Sequence, residues 1–215
     1  MHPDISILPS RVFYDGKLAD GPGMADKTLQ PWHATPAFAP YRFFNIDAGR
    51  ESAGSIGHSL KNTAEAQAAL AIYVNLKQQY PQTDFDFRIG IVTMYKEQKR
   101  ELIRVFSSRY GRNITSTVDF NTVDGFQGQE KDIIILSCVR AGGPAAGVGF
   151  LKDSRRMNVA LTRAKSSLFI LGHAPTLEGG GPQWNGIVVD ARERNALFNV
   201  RLGPAFQSRS RPDLH

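Results

Sequence analysis

The sequence predicts an α/β domain built on a mostly parallel sheet. Three observations carry this expectation. Continuous apolar runs at Arg88–Thr93 (RIGIVT), Ile133–Val139 (IIILSCV) and Ser167–Gly172 (SLFILG) mark strands buried on both faces. The segments between them repeat apolar residues at helical spacing. Strand-type and helix-type segments also alternate along the chain, which favours crossover connections between parallel strands.

In chain order, Met1–Pro9 reads as a loop with a short helix or turn. Asp15-Gly16 marks a turn inside Arg11–Leu18, and Gly21–Pro40 is loop-like, with Pro22, Pro31, Pro36 and Pro40. Residues 1–40 thus form an irregular opening segment to a domain spanning 41–200. Tyr41–Ile46 (YRFFNI) reads as a strand. Gly49–Leu60 is Gly/Ser-rich and reads as a flexible loop. Asn62, three residues before Glu65, makes a capping-box arrangement. The helix it opens runs to about Tyr80, with Ala66, Ala69, Leu70, Tyr73 and Leu76 on one face, and Pro81 ends it.

Glu97–Tyr110 reads as the next helix, with Leu102, Val105 and Phe106 facing the core. Thr115–Val123 is rich in β-branched residues and reads as one or two strands. Ala141–Gly149 reads as a flexible loop. Asp153–Lys165 reads as a helix with Asp153 as its N-cap and Met157, Leu161 and Ala164 on one face. Val188–Leu197 reads as a last helix. Residues 201–215, polar and basic with two prolines, read as disordered.

At 215 residues the chain suits one domain and can bury a core without staples. The single cysteine, Cys138, excludes an internal disulfide framework and a Cys-based zinc site. The five histidines show no metal-ligand spacing, so no metal site is expected. No apolar run approaches the ~20 residues that span a bilayer, and no signal peptide opens the chain. A soluble protein of a reducing compartment, with no membrane partner, is the expectation. The net charge of +6 and pI near 9.6 suit a polyanionic partner, although an ordinary basic protein fits them as well.

Three stretches carry chemistry. Thr122–Glu130 (TVDGFQGQE) sets glycines, an amide and carboxylates just before a buried strand. Ligands of open α/β sheets bind at such loops, and Gly125 and Gly128 would allow a phosphate close to the backbone. A tight turn with solvated carboxylates is the plain alternative. Gly149–Lys165 places Arg155, Arg156, Arg163 and Lys165 on one expected helix. Arg156 and Arg163, seven apart, would share a face, and arginine forks suit phosphate. A solvated basic face is the alternative. Arg88–Gln98 ends a strand in Thr93, then Tyr95 and Gln98, a hydroxyl for phosphate and a ring for a base, or simply a strand-turn-helix corner. No G-x-x-x-x-G-K-[ST] occurs in the 215 residues, so they hold no Walker A loop.

Taken together these stretches resemble motifs IV, V and VI of the superfamily 1B helicases, the group of the nonsense-mediated-decay helicase and senataxin. Thr122–Glu130 with Asp132–Arg140 is similar to motif V, and Gly149–Lys165 to motif VI. His2-Pro3, Pro9-Ser10, Phe13-Tyr14 and Gly16 resemble the segment after motif III, which in that family begins Gln-Tyr-Arg. Phe13–Met24 and Asp119-Phe-Asn121 look most like the senataxin branch. The resemblance covers residues 1 to about 200, with four motifs in family order. Met94 departs from it, standing where the family usually has proline.

The resemblance implies a second RecA-like domain, facing a first one that lies outside these 215 residues and carries the Walker A and B motifs. ATP would bind between them, with Mg²⁺ held mainly by the first domain. Arg163 would contact the γ-phosphate, Glu130 the ribose, and Gly128 the phosphate side, with Arg156 a further nucleotide-side candidate. Thr122, Thr93 and Tyr95 would lie along single-stranded RNA or DNA, or an RNA–DNA hybrid. The implied whole is an ATP-dependent 5′-to-3′ helicase of the nucleus or the cytoplasm. This chain alone is expected to be inactive, and Met1 to be an internal methionine or a boundary. A non-catalytic RNA- or protein-binding module, or an inactive gene fragment, is the alternative.

Overall fold

The computed structural model describes residues 1–54, 59–142 and 148–200. The expected disorder of 201–215, and parts of the loops expected at 49–60 and 141–149, lie outside the described residues. The elements run α1 (Pro3–Phe13), α2 (Met24–Thr28), β1 (Tyr41–Asn45), β2 (Ser52–Ala53), β3 (Leu60–Lys61), α3 (Thr63–Gln79), β4 (Ile89–Thr93) and α4 (Lys96–Tyr110). They continue with β5 (Asp119–Thr122), β6 (Lys131–Ser137), α5 (Ser154–Leu161), β7 (Ala164–Gly172), α6 (Ala174–Glu178), α7 (Pro182–Glu193) and β8 (Leu197–Asn199). Short 3₁₀ turns fill several connections, among them Asp124–Phe126 and Gly149–Lys152.

Six strands form one sheet in the order β5-β4-β6-β7-β1-β8, and every ladder in it is parallel. Alternation along the strands divides the core in two. Ile134 and Leu136 of β6 and Leu168 and Ile170 of β7 face α1, α5, α6 and α7. Ile133, Ile135, Phe169 and Leu171 face α3, α4 and the aromatic pair Trp32 and Phe38. Burial of both faces is why these strands read as unbroken apolar runs. The result is a three-layer RecA-like α/β domain.

Several sequence expectations are corrected. Met24–Thr28, inside the stretch read as loop, forms α2. Residues 3–13 form a full helix. Pro3 at its first position lacks only an N–H that would be unbonded anyway, and His2 Nδ1 caps the end by accepting from Asp4 N–H at 3.1 Å. The helix expected over 153–165 ends at Leu161, because Thr162 turns its hydroxyl back onto the Asn158 carbonyl (2.8 Å) while Ala164 and Lys165 enter β7. The last helix is Pro182–Glu193, and Leu197–Asn199 pairs with β1 instead of ending it. The stretch around 49–60 contains the paired strands β2 and β3.

The helix starting at Asn62 has its N-cap but lacks the reciprocal half of a capping box. Asn62 Oδ1 accepts from Glu65 N–H at 3.2 Å, whereas the Asn62 N–H goes to Gln98 Oε1 at 2.7 Å. The Glu65 carboxylate turns elsewhere.

Candidate functional site

Parallel strands give the sheet two chemically different edges. Thr93, Thr122 and Ser137 stand in register at the carboxyl ends of β4, β5 and β6. Lys131 and Ala164 stand together at the amino ends of β6 and β7, where Lys131 N–H donates to the Arg163 carbonyl at 3.1 Å. Residues 123–130 therefore cross from one edge to the other. Thr122 lies at the carboxyl edge and Glu130 beside Arg163 at the amino edge.

That crossing has a built seat. Val123 and Phe126 are buried, and Phe126 lies over Gly90 of β4. A Cβ at Gly90 would sit 2.8 Å from Phe126 Cζ and 2.9 Å from Ile134 Cδ1, so a side chain there would lift the ring. Beyond Phe126 the chain is exposed from Gln127 to Glu130. Gly128 turns it with φ +81°, a left-handed conformation that favours glycine, and open space surrounds it. Gly125 differs: a Cβ there would fall 2.4 Å from Asn121 Oδ1. The space next to Gly125 belongs to Asn121, whose Nδ2 donates to the Gly125 carbonyl at 2.9 Å. Of the two glycines read as phosphate neighbours, only Gly128 has that space open.

The expected site residues separate into three groups. Glu130 and Arg163 are brought together. Glu130 is exposed and has no ion-pair partner among the described residues. Arg163 leaves the last turn of α5, with Nε on the Val159 carbonyl (3.2 Å) and Nη2 on Thr162 Oγ1 (3.1 Å), both neutral acceptors. Its position after the helix, in the turn before β7, replaces the expected shared helical face with Arg156. Arg156 stays on α5, where Nε pairs with Asp124 Oδ1 at 2.9 Å and ties that helix to the crossing segment.

At the carboxyl edge Thr122 is half-buried, and its Oγ1 accepts the Gly125 N–H at 3.3 Å. Thr93 and Tyr95 are buried. Thr93 Oγ1 accepts from the Tyr95 N–H at 3.3 Å, and the Tyr95 hydroxyl reaches the Val148 carbonyl at 3.5 Å. Arg140 hydrogen bonds Tyr95 from the side, and burial raises the phenol pKa despite it. Thr93 and Tyr95 thus shape the edge from beneath, while Thr122 faces outward on it.

A buried polar network beneath this edge went unread in the sequence. Glu65 accepts the Val139 N–H at 2.9 and 3.0 Å and the Ser137 hydroxyl at 2.6 Å. Asn62 Nδ2 donates to the Val139 carbonyl at 3.0 Å, and Gln98 Nε2 donates to Ser137 Oγ at 2.9 Å. Val139 sits at φ +74°, a conformation costly for a β-branched residue, and Asn62 and Glu65 hold its peptide from both sides. Burial pushes the Glu65 carboxyl up to about 8 against the pull of Ser137 and Val139. From Val139 the chain turns to Arg140, whose Nε meets Glu51 Oε2 at 2.7 Å. Only partners 72–74 residues away in the chain distinguish Glu65 from a simple cap residue.

The residues present fit one side of a nucleotide. Arg163 and Glu130 offer a guanidinium for phosphate and a carboxylate for sugar hydroxyls within one small region. Among the described residues no group of three or more His, Cys, Asp or Glu gathers as a metal site, and no helix is long and apolar enough to cross a membrane.

The sequence matches a known family and known proteins. The AAA domain family matches residues 1–175. Helicase SEN1 of Saccharomyces cerevisiae is 45% identical over 198 residues, 92% of this chain and 9% of that protein. Helicase sen1 of Schizosaccharomyces pombe is 46% identical over 202 residues, 94% of this chain and 12% of that one. "Probable helicase senataxin" of Homo sapiens is 37% identical over 202 residues, 93% and 7% of the two. The chain thus spans about a tenth of the length of the two yeast relatives. Its family match and its six-stranded parallel sheet agree, and the chain belongs to the AAA domain family as a RecA-like domain similar to part of the Sen1 and senataxin helicases.

Proposed function

We propose that this chain is the second RecA-like half of an ATP-dependent 5′-to-3′ helicase acting on single-stranded RNA or DNA, or on an RNA–DNA hybrid. The observation that carries the reading is the crossing segment. One stretch of eight residues joins Thr122 at the carboxyl edge to Glu130 beside Arg163 at the amino edge. A segment seated so firmly at Phe126 can transmit a shift at either end to the other. Arg163 then meets the γ-phosphate, where an arginine stabilises the charge of phosphoryl transfer. Glu130 holds the ribose, and Gly128 lets the backbone lie close to phosphate. Arg156 acts on the nucleotide side by fixing Asp124. Thr122 touches the nucleic-acid backbone, with Thr93 and Tyr95 supporting it from below.

ATP and Mg²⁺ enter with a partner domain bearing the P-loop, which supplies the β-phosphate contacts and the metal ligands. In this reading the 215 residues alone turn over no ATP, and the whole protein works in the nucleus, as the senataxin-branch resemblance implies. The test joins this chain to a P-loop RecA-like domain of its own family in one polypeptide. Nucleic-acid-stimulated ATPase is then measured with and without Arg163→Ala. The expected loss in kcat is on the order of 10³-fold with strand binding kept. Near-normal turnover in the variant, or steady turnover by the isolated chain, would overturn the reading.

A further inference from the structure

The carboxyl edge holds a cation, Lys99, just past the Arg88–Gln98 stretch read in the sequence. Lys99 lies in the first turn of α4, half-buried, with its ammonium 3.1 Å from Asn121 Oδ1. The same oxygen accepts the Thr122 N–H at 3.0 Å, so a single atom links Lys99 to the Thr122 peptide. Lys99 has no carboxylate partner among the described residues. The two acids at the start of α4 lie on the opposite side of that helix and are paired there, Glu97 with Arg100, and Glu101 with Arg104 and Lys61. Asp124, two residues after Thr122, is taken by Arg156, and Glu130, the other acid of the loop, lies at the far edge. Lys99 thus keeps an unneutralised positive charge beside Asn121 and Thr122.

The Thr122 hydroxyl completes the geometry. Its oxygen accepts the Gly125 N–H, and its proton has no acceptor among the described residues, so the hydroxyl can still donate. We infer that Lys99 and the Thr122 hydroxyl together bind one phosphodiester of a single strand. The ammonium supplies charge, and the hydroxyl supplies direction. Asn121 links the two, its Oδ1 accepting from the Lys99 ammonium and the Thr122 N–H and its Nδ2 donating to the Gly125 carbonyl. This inference rests on the nucleic-acid reading of the carboxyl edge and adds to it the residue that carries the charge.

The experiment uses the 215-residue chain and fluorescein-labelled 12-nucleotide dT and U strands, with anisotropy titrations from ~50 to ~300 mM salt. One lost phosphate contact lowers the slope of log K against log salt by ~0.7 for single strands, which is ~8-fold in affinity at ~50 mM. Lys99→Met is expected to show that change. Lys99→Arg keeps the slope, and so does Lys77→Met, which removes the same charge from the exposed last turn of α3. Thr122→Val weakens binding with the slope unchanged. Far-UV circular dichroism and thermal melting of each variant separate these effects from unfolding.

If the wild-type chain binds neither strand, the nucleic-acid reading itself fails. If it binds and Lys99→Met keeps the wild-type slope, the reading stands and the role of Lys99 is overturned. Equal competition by polyglutamate, with Thr122→Val silent, would also overturn it in favour of an acidic protein surface.

Discussion

The two edges of one sheet are built on opposite terms. Beneath the carboxyl edge, Asn62, Glu65, Gln98, Ser137 and Val139 saturate one another with hydrogen bonds away from solvent. At the amino edge, Arg163 rests on two neutral oxygens and Glu130 stands in water. A saturated buried network fixes a backbone and leaves little to exchange. Sparsely bonded charged groups keep their bonding capacity for something outside the chain. The contrast teaches that fixed geometry and chemical availability are held in different places, joined by the crossing segment.

The sharpest way to break the comparison is to remove its buried anchor. Glu65→Ala leaves the Val139 N–H and the Ser137 hydroxyl without their acceptor. We expect a loss of about 3 kcal/mol, read by urea denaturation. A loss below about 1 kcal/mol would show that the network is no anchor. The same residue sets a pH signature. The Glu65 carboxyl is raised in the folded chain from 4.5 to about 8 by burial. Its contribution is therefore complete below about pH 4.5 and lost as pH rises through about 8. Melting temperature is expected to fall over that window, and Glu65→Gln to flatten the fall. Glu101 runs the other way. Hydrogen bonds from Arg104 hold it at about 2, so its contribution is present above its ordinary 4.5 and lost as pH falls toward 2.

Gly90→Ala acts on the join between the edges. Its new methyl must displace Phe126 or Ile134, at a cost of ~1–3 kcal/mol. If Phe126 gives way, amide exchange should accelerate from Val123 to Glu130 ahead of the rest of the sheet. Uniform exchange would mean the crossing segment has no separate seat. Asp153→Ala removes the N-cap that accepts from the Arg155 and Arg156 N–H groups, with an expected loss of ~1 kcal/mol in thermal unfolding. Smallest of all, Glu130→Ala should change stability by no more than ~0.5 kcal/mol, since the side chain touches nothing that folding needs. A larger loss in the same denaturation assay would make Glu130 a structural residue and blur the distinction between the edges.

Much of the frame was legible in the sequence. The strands β4, β6 and β7 announce themselves as apolar runs, and Asn62 marks the start of α3 as an N-cap. What was hidden depended on distant pairing. The end of α5 was set by β6, because Lys131 recruits Ala164 into a strand and leaves Arg163 in the turn. α1 was masked by prolines, although Pro3 stands where a helix tolerates it. Thr93 and Tyr95 lie in a stretch with no local sign of which side meets solvent, and the tertiary fold turned both inward. Lys99 gave no local signal because its partner Asn121 lies in β5, 22 residues later.

The pairing of β1 with β7 also constrains how the chain is made. Tyr41 stands opposite Leu168 in the sheet, 127 positions later in the chain. A ribosome adding ~5–20 residues per second needs roughly 6–25 s between the two. Over that interval Tyr41, Phe43 and Phe44 have no strand to join on either side, since β8 is later still. The aromatic run of β1, second from the sheet's edge, thus waits without a strand partner through most of the synthesis of these residues.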